Sequence, residues 1–536
     1  MQIYGDYGYP VMEAVESIVT KNLYGLDIDD RAAQLAYFTI MMKARSYDRG
    51  FFRRGIQPNV MAIQESNWID GTYPYDMGDF LISKEHQDTL NYLLDAFNDA
   101  KEYGSILQLE NRDYVGLLKT WEGTAAATAG DFNMVLWFAA VKDAIPALIK
   151  QAIYLSQKYD VVVTNPPYMG SSNMSAKLSA FVKKNYPDSK SDLFACFIER
   201  CGEMSRADGY VAMITQHAWM FLSSFENLRK KLLKKDIVNM SHLGARAFEE
   251  IGGEVVQTTS MVFANVHIGG YKGIFVRLIE PTTQDGKEEM FLSGENRFST
   301  CQENFAKIPG APVAYWVSEN VVRLFNKKRI IDFAEPRHGM STGNNDLCLK
   351  LWHEVNREKI FFSAISLEAF DESKAKYAPY KKGGEYRLWY GNNDYVIAYD
   401  KQSRSIMQAL SGYRSSSISF FFKPSINWSD VSSSYFGVRV SPNGFCFDGR
   451  GASMFCNKED IHYLLGVLVS KISSYILNIL NPTLTFNIEN ISAIPVIVDE
   501  IHRSDIEDIS KENISLSKSD WDSRETSWDF ERHPLV

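Results

Sequence analysis

DVVVTNPPY, residues 160–168, is the stretch on which the fold turns. Three consecutive valines leave no polar face, the pattern of a strand covered on both sides in a parallel sheet. Asn165-Pro166-Pro167-Tyr168 then ends the strand, and the two prolines fix the backbone there. Open α/β folds gather their ligands at the carboxyl ends of such strands. At that corner the Asn165 side-chain carbonyl and the main-chain carbonyl of Pro166 can accept both hydrogens of one planar –NH2 group. This draws the nitrogen lone pair out of conjugation and makes it nucleophilic. Tyr168 supplies a flat face for a base, and such stacking is worth roughly 1–3 kcal/mol. A rigid turn closing a strand is the simpler alternative. Placement directly after an apolar strand favours chemistry instead: methyl transfer from S-adenosylmethionine to an exocyclic or amide nitrogen. Such a reaction rests on positioning and polarisation more than on a strong base. An adenine N6 inside duplex DNA would first have to leave the stack.

Upstream of this stretch, residues 13–20 read as helix and 22–29 as a short strand ending in acid. Helical composition follows over 31–46 and 85–101, a strand end is expected at 104–108, and 125–158 is largely helical. Downstream, helix is expected over 191–204, strand over 209–215, a basic helix over 223–234, and strands over 237–243 and 255–266. Strands alternating with helices predict a parallel, doubly wound sheet. Asp27, with Ile28 beside it, stands where an acid accepts hydrogen bonds from ribose hydroxyls of a nucleoside cofactor. Helix capping is the alternative for the Asp27, Asp29 and Asp30 cluster. Ser105 and Ile106 are candidates for flanking the cofactor's adenine ring. Asp192 is a candidate helix cap, and His217 ends a strand with no partner visible. Phe263 is a candidate for closing on a flipped base opposite Tyr168, against the alternative of core packing.

The chain has 536 residues, 45% hydrophobic and 23% charged, enough for two or three domains with their own cores. No uninterrupted apolar run is long enough for a membrane span and no signal peptide is visible, so a cytoplasmic protein with no membrane partner is expected. Six cysteines form no CxxC pair, which predicts neither a zinc site nor a disulfide framework. The net charge of −9 argues against indiscriminate coating of nucleic acid. The charge is uneven, however. Residues 321–480 carry 21 Lys and Arg against 15 Asp and Glu, whereas 481–536 carry 5 against 12. A basic middle suits a region that meets phosphate locally. After about residue 320 the texture turns to Ser, Asn, Gly and aromatics with many turn signals. Three parts are therefore expected: a catalytic domain over 1–320, a mixed α+β target-recognition region over 321–500, and a weakly ordered acidic tail over 501–536.

Several segments together resemble the gamma-class adenine-specific N6 DNA methyltransferases, in particular the large methyltransferases of BREX phage-defence systems. They are YGLDIDDRA (24–32), DVVVTNPPYMG (160–170), SDLFACFIE (191–199), GYVAMITQHAWM (209–220), VVQTTSMVF (255–263), GMSTGNND (339–346) and LNPTLTFNIENISAIPV (480–496). The resemblance implies a Rossmann-like methyltransferase sheet followed by a target-recognition domain. It further implies S-adenosylmethionine as cofactor, double-stranded DNA with a flipped adenine as substrate, and other phage-defence proteins as partners. Asn165, Pro166 and Tyr168 match the catalytic motif, and Asp27 matches the ribose-binding acid. Asn345, Lys423, Trp428 and Arg439 fall in the part similar to the recognition region and are candidates for DNA contact. One departure stands out. The family's Gly-rich cofactor loop should precede the acidic strand, but the residues before Asp27 hold only Gly5-Asp6-Tyr7-Gly8. The chain is therefore expected to be a fragment lacking the first strand of its sheet. Two other readings remain: a protein-glutamine or RNA methyltransferase, and a non-catalytic DNA-binding subunit.

Overall fold

A computed structural model describes residues 1–69, 83–124, 139–248, 256–431, 435–482, 485–533 and 535. Much of the helical expectation over 125–158 lies outside the described residues. The chain divides into two compact units, one of Met1–His217 with Lys234–Arg297, the other of Ala218–Leu233 with Phe298–Val536. The division falls earlier than the expected 320, and the basic segment at 218–233 leaves the first unit. Arg229 is the physical reason: it is buried and donates to the carbonyls of Trp219 (2.8 Å), Leu222 (2.7 Å) and Gly310 (2.7 and 3.0 Å).

In the first unit, β1 (Tyr24–Asp27) and β2 (Asn59–Ala62) pair in parallel, with Asp27 opposite Ala62. Helix α1 (Asp30–Tyr47) joins them. Its cap is Asp29, whose carboxylate accepts from the amides of Arg31 (2.7 Å) and Ala32 (3.0 Å). The chain leaving β2 is pinned by Gln151 on helix α2 (Ala144–Ser156). This fully buried side chain imitates a strand neighbour, accepting from Gln64 N (2.8 Å) and donating to Gln64 O (3.0 Å). On α2, Ile145, Leu148, Ile149, Ala152 and Leu155 recur at helical spacing and fill a core with Leu90, Leu93 and Trp121.

The second sheet of this unit contains β3 (Tyr159–Thr164), β4 (Ser205–Gln216), β5 (Asp236–Gly244), β6 (Thr258–Ala264) and β7 (Lys272–Arg277) in the order β3-β4-β6-β5-β7. β3 with β4 and β5 with β7 are parallel, but β6 runs against both β4 and β5. The sheet is mixed, which corrects the all-parallel expectation. No helix separates β5 from β6 among the described residues, and a parallel neighbour would need a long crossover. Helix α3 (Leu193–Met204) covers the β3–β4 end with Phe194 and Ile198 wholly buried. The strand expected at 104–108 is instead a 3-10 turn, Gly104–Ile106. Gly104 has φ +59° there, a backbone setting that favours glycine.

The second unit is also mixed α/β. One four-stranded sheet contains β10 (Leu349–Leu351), β12 (Tyr395–Ala398), β11 (Tyr377–Lys381) and β16 (Cys446–Phe447) in that order. The other runs β15 (Val438–Ser441), β14 (Ser425–Trp428), β17 (Ser453–Cys456) and β8 (Ala334–Arg337). A short pair joins β9 (Met340–Thr342) to β13 (Tyr413–Ser415). Helices α4 (Ile461–Val469) and α5 (Lys471–Leu480) pack against Ile426, Trp428, Val438 and Met454. The tail expected to be weakly ordered forms a 20-residue helix, Arg503–Asp522. Ile506 and Ile514 on that helix pack against the same core, which its acidic composition concealed. Among the described residues no single helix is long and apolar enough to cross a membrane.

Candidate functional site

Val162 lies opposite Val211 and Thr164 opposite Met213, so Asn165 emerges at the carboxyl end of the β3–β4 pair. Asn165 is exposed, and its carboxamide has no hydrogen-bond partner among the described residues. Pro166 is buried, Pro167 exposed and Tyr168 half-buried. Downstream the loop is laced to the start of α3. Asp192 accepts from Met169 N (3.0 Å), Leu193 N donates to Met169 O (3.0 Å), and Ser171 N donates to Ser191 O (3.0 Å). Asp192 also caps α3 through Phe194 N (3.4 Å), and burial raises its pKa above the usual carboxylate value. The Tyr168 ring stands edge-on to Phe194, with centroids 6.1 Å apart and planes at 83°. Its hydroxyl is buried without a partner, and burial pushes its pKa up to about 12. Tyr168 therefore acts here as a neutral ring and not as a proton donor to a neighbour.

Asp27 is exposed at the end of β1, and one carboxylate oxygen accepts from Asp29 N (2.9 Å). Capping of α1 falls to Asp29, while Asp30 pairs with Lys101 (2.7 Å). Asp27 is thus the acid of the cluster without a helix-cap or ion-pair duty. Ile28 is 48% exposed and reaches Gly104, its Cδ1 3.5 Å from where a β-carbon would stand. The fold therefore brings residues 27–28 beside the 104–106 turn. Ile106 itself is wholly buried, with its carbonyl taken by the Tyr186 hydroxyl (2.6 Å), so of that pair only Ser105 reaches open space.

Ser105 lines a cleft of about 200 Å3 whose two long walls are the edges of β1 (Tyr24, Leu26) and β3 (Val161 to Thr164) that have no partner strand among the described residues, with Phe197 and Met204 of α3 also lining it. Val161 is 54% and Val163 72% exposed, at odds with the buried strand their sequence predicts. Sequence reading missed this cleft. Residue types along one strand do not say which edge is left unpaired.

Three other candidates are corrected. Phe263 is 1% exposed, sits opposite Val211 and Ile237 within the sheet, and lies under the Lys235 ammonium (5.1 Å). It presents no face to a base. Trp428 is wholly buried and its indole N–H donates to Phe486 O (2.9 Å). Arg439 is 1% exposed and shares Asn427 and Ser429 as acceptors. Ile426, two residues before Trp428, would have marked that ring as sheet core, whereas Gly437 and Ser441, the alternate neighbours of Arg439, carry no such signal. Asn345 and Lys423 are exposed: Asn345 accepts from the Thr342 hydroxyl (2.7 Å), and the Lys423 ammonium lies over Phe420 (5.0 Å). His217, without a visible partner in sequence, meets His242 at 2.8 Å between Nδ1 and Nε2. Burial lowers His217 to about 4 and His242 to about 3, so both rings are neutral near pH 7.

Residues 21–248, which hold both the Asn165 corner and the Asp27 strand, match one family model. That model is the one described as Eco57I restriction-modification methylase. Over its whole length the chain is related to adenine-specific methyltransferases. It is 38% identical over 556 residues to the adenine-specific methyltransferase PglX of Lacticaseibacillus casei (strain Zhang). It is 36% identical over 559 residues to the adenine-specific methyltransferase BrxX of Escherichia coli O9:H4 (strain HS). Each alignment covers 100% of this chain and 45% of the relative, so the chain spans about half the length of the curated relatives it matches. Among solved structures, the type IIL restriction-modification enzyme MmeI in complex with DNA aligns over 97% of this chain and 67% of its own, at 11% identity and a TM-score of 0.49.

Proposed function

We propose that the chain encodes methyl transfer from S-adenosylmethionine to adenine N6 in DNA, in a phage-defence or restriction-modification-like setting. The observation that carries this is the exposed, unpartnered Asn165 carboxamide at the carboxyl end of β3, beside a tyrosine ring held by Phe194 and the Asp192 clasp. Asn165 and the Pro166 carbonyl accept the two N–H bonds of the target amino group, and Tyr168 stacks on the base. The cofactor, when bound, supplies a methyl group on a sulfonium, which the amino nitrogen attacks. The Asn165 and Pro166 carbonyls would keep the amino lone pair out of conjugation, and the proton that the nitrogen loses after transfer would pass to solvent. The residues present suit the nucleoside half of that cofactor: a carboxylate at Asp27 free of cap and ion-pair duties for ribose hydroxyls, and the apolar side of Ile28 with Ser105 for the adenine. Asn345 and Lys423 are proposed DNA contacts, a cytoplasmic location is proposed, and partners among other defence proteins belong to the same reading.

A Rossmann-like arrangement follows if one further strand, contributed from outside these residues, lies between the free edges of β1 and β3 and joins the two sheets. The exposed valines of β3 and the cleft beside them support it. Titrating labelled cofactor into this chain and into an upstream-extended chain is the test. Equal affinity would refute the added strand. Methyl-acceptor assays with DNA, RNA and protein address the chemistry, and transfer to RNA or protein but not DNA would refute the substrate.

A further inference from the structure

In the second unit β9 and β13 form an antiparallel ribbon in which Ser341 stands directly across from Arg414. Side chains alternate between the two faces of a strand. Met340 and Thr342 turn inward and are buried, and Met340 packs with Tyr413 on the core around Phe370 and Tyr380. Ser341 and Arg414 therefore share the outward face, and both are exposed. Along its other edge β9 is bonded, among the described residues, only through Met340, whose carbonyl accepts from Gly449 N (3.0 Å). Past that point the ribbon is two strands wide. Its tip is narrow because two glycines meet there. A β-carbon on Gly412 would stand 3.2 Å from the Gly343 Cα, and one on Gly343 would stand 2.8 Å from the Leu410 Cβ. Two strands about 5 Å apart, with their side chains, fit the major groove of B-DNA, which is about 12 Å wide.

The charge on that face is uncommitted. Arg414 has no carboxylate partner among the described residues. Its guanidinium is a planar fork of donors, which matches the O6 and N7 acceptors of guanine in the major groove. Exposed cations flank the ribbon on both sides. On the β9 side is Arg450, whose chain is fixed by Gly449 N on the Met340 carbonyl and by its own N on the Asp448 carboxylate (2.7 Å). On the β13 side is Lys423, whose ammonium lies over Phe420 (5.0 Å). The turn that carries Phe420 is tied to the base of the ribbon, where the Ser417 hydroxyl donates to the His338 carbonyl (2.7 Å). Neither Arg450 nor Lys423 is in an ion pair among the described residues, and the exposed acid beyond the tip, Asp346, pairs with none of the three. Phosphate contacts position a protein on DNA and base contacts specify the sequence. A central arginine between two outer cations provides both.

We propose that the β9–β13 ribbon enters the DNA major groove and that Arg414 selects a guanine there, with Arg450 and Lys423 on the phosphates to either side. This deepens the proposed function by naming a residue that chooses the site, and it rests on the reading of DNA as the substrate.

Selection from a pool of randomised duplexes by the full chain, with the bound fraction sequenced, tests this and needs neither cofactor nor methyl transfer. A preferred sequence containing a guanine is expected. Arg414→Ala should reduce the preference at one guanine position by about ten-fold or more, the scale of a lost bidentate contact. Arg414→Gln should move that position toward adenine, whose N6 and N7 suit a carboxamide. Lys423→Gln and Arg450→Gln should instead weaken binding to all duplexes alike, each lowering the salt slope by about one. All three side chains are exposed, so melting temperatures should match the parent. Asn165→Ala should leave the selected sequence unchanged. Selection that persists in a parent chain unable to methylate DNA sinks the chemistry alone, and transfer that persists with a sequence indifferent to Arg414 sinks the ribbon alone. No selected sequence, or an Arg414→Ala chain that selects the parent's sequence with uniformly lower affinity, overturns the proposal.

Discussion

At the scale of single residues, exposure and partnership separate roles that residue type leaves open. Asn165 has nothing to hold and nothing to bury, so Asn165→Ala should leave the melting temperature within a degree or so while methyl transfer to DNA falls by about 10²–10³-fold, the scale of a lost charge-stabilising contact. Unchanged transfer would remove Asn165 from the chemistry. Tyr168→Phe separates ring from hydroxyl. The hydroxyl is buried with no partner, so its removal should leave both stability and transfer rate at or slightly above the parent values, whereas Tyr168→Leu should weaken base binding by roughly 1–3 kcal/mol. Arg439 and Trp428 show the reverse case. Their chemistry suits nucleic acid, yet both lie in a sheet interior with their donors committed to neighbours.

Among elements, the free edges of β1 and β3 carry a prediction of their own. A parallel strand bonds each neighbour through alternate residues, so part of β3 leaves its amides open to water. Hydrogen exchange should show fast and slow amides alternating over Tyr159–Thr164, and the fast set should slow in an upstream-extended chain if a strand enters the cleft. Uniform protection in the present chain would contradict an open edge. The β4 and β5 ends carry the His217–His242 pair. Both folded pKa values lie below the unfolded value near 6.5, so unfolding takes up protons as pH falls. Stability from this source is complete above pH 6.5 and is lost as pH drops toward 4. For His217 alone the loss between pH 7 and 5 is about 2 kcal/mol. Urea unfolding of His217→Asn across that range should show a flatter pH profile than the parent.

For the whole molecule, the division into units does not follow a single cut in the chain. Ala218–Leu233 belongs with the residues after 298, held by the buried Arg229 and its carbonyl acceptors. A truncation starting at 298 removes that guanidinium and leaves the Gly310 carbonyl without it. It should be markedly less stable than a piece in which 218–233 is joined by a linker to 298–536, and Arg229→Met in the full chain should cost roughly 3 kcal/mol or more in urea unfolding of the second unit. Equal stability of the two pieces would show the segment to be dispensable.

The sequence by itself determined the order of strands and helices around Asn165, the placement of Asp27 at a strand end, and the kinship the segments implied. These depend on local spacing and residue type, which a strand end or a helix cap reads directly: Asp29 and Asp192 cap the helices that follow them as a reader of the chain would expect. Only the tertiary structure decided that β6 runs against its neighbours, that Phe263, Trp428 and Arg439 are interior, and that the acidic tail is a packed helix. It also decided that two strand edges beside the candidate site have no partner strand among the described residues. The reason is physical. Burial and edge pairing depend on which distant segments meet, and no residue carries in its own side chain a record of what will lie across from it.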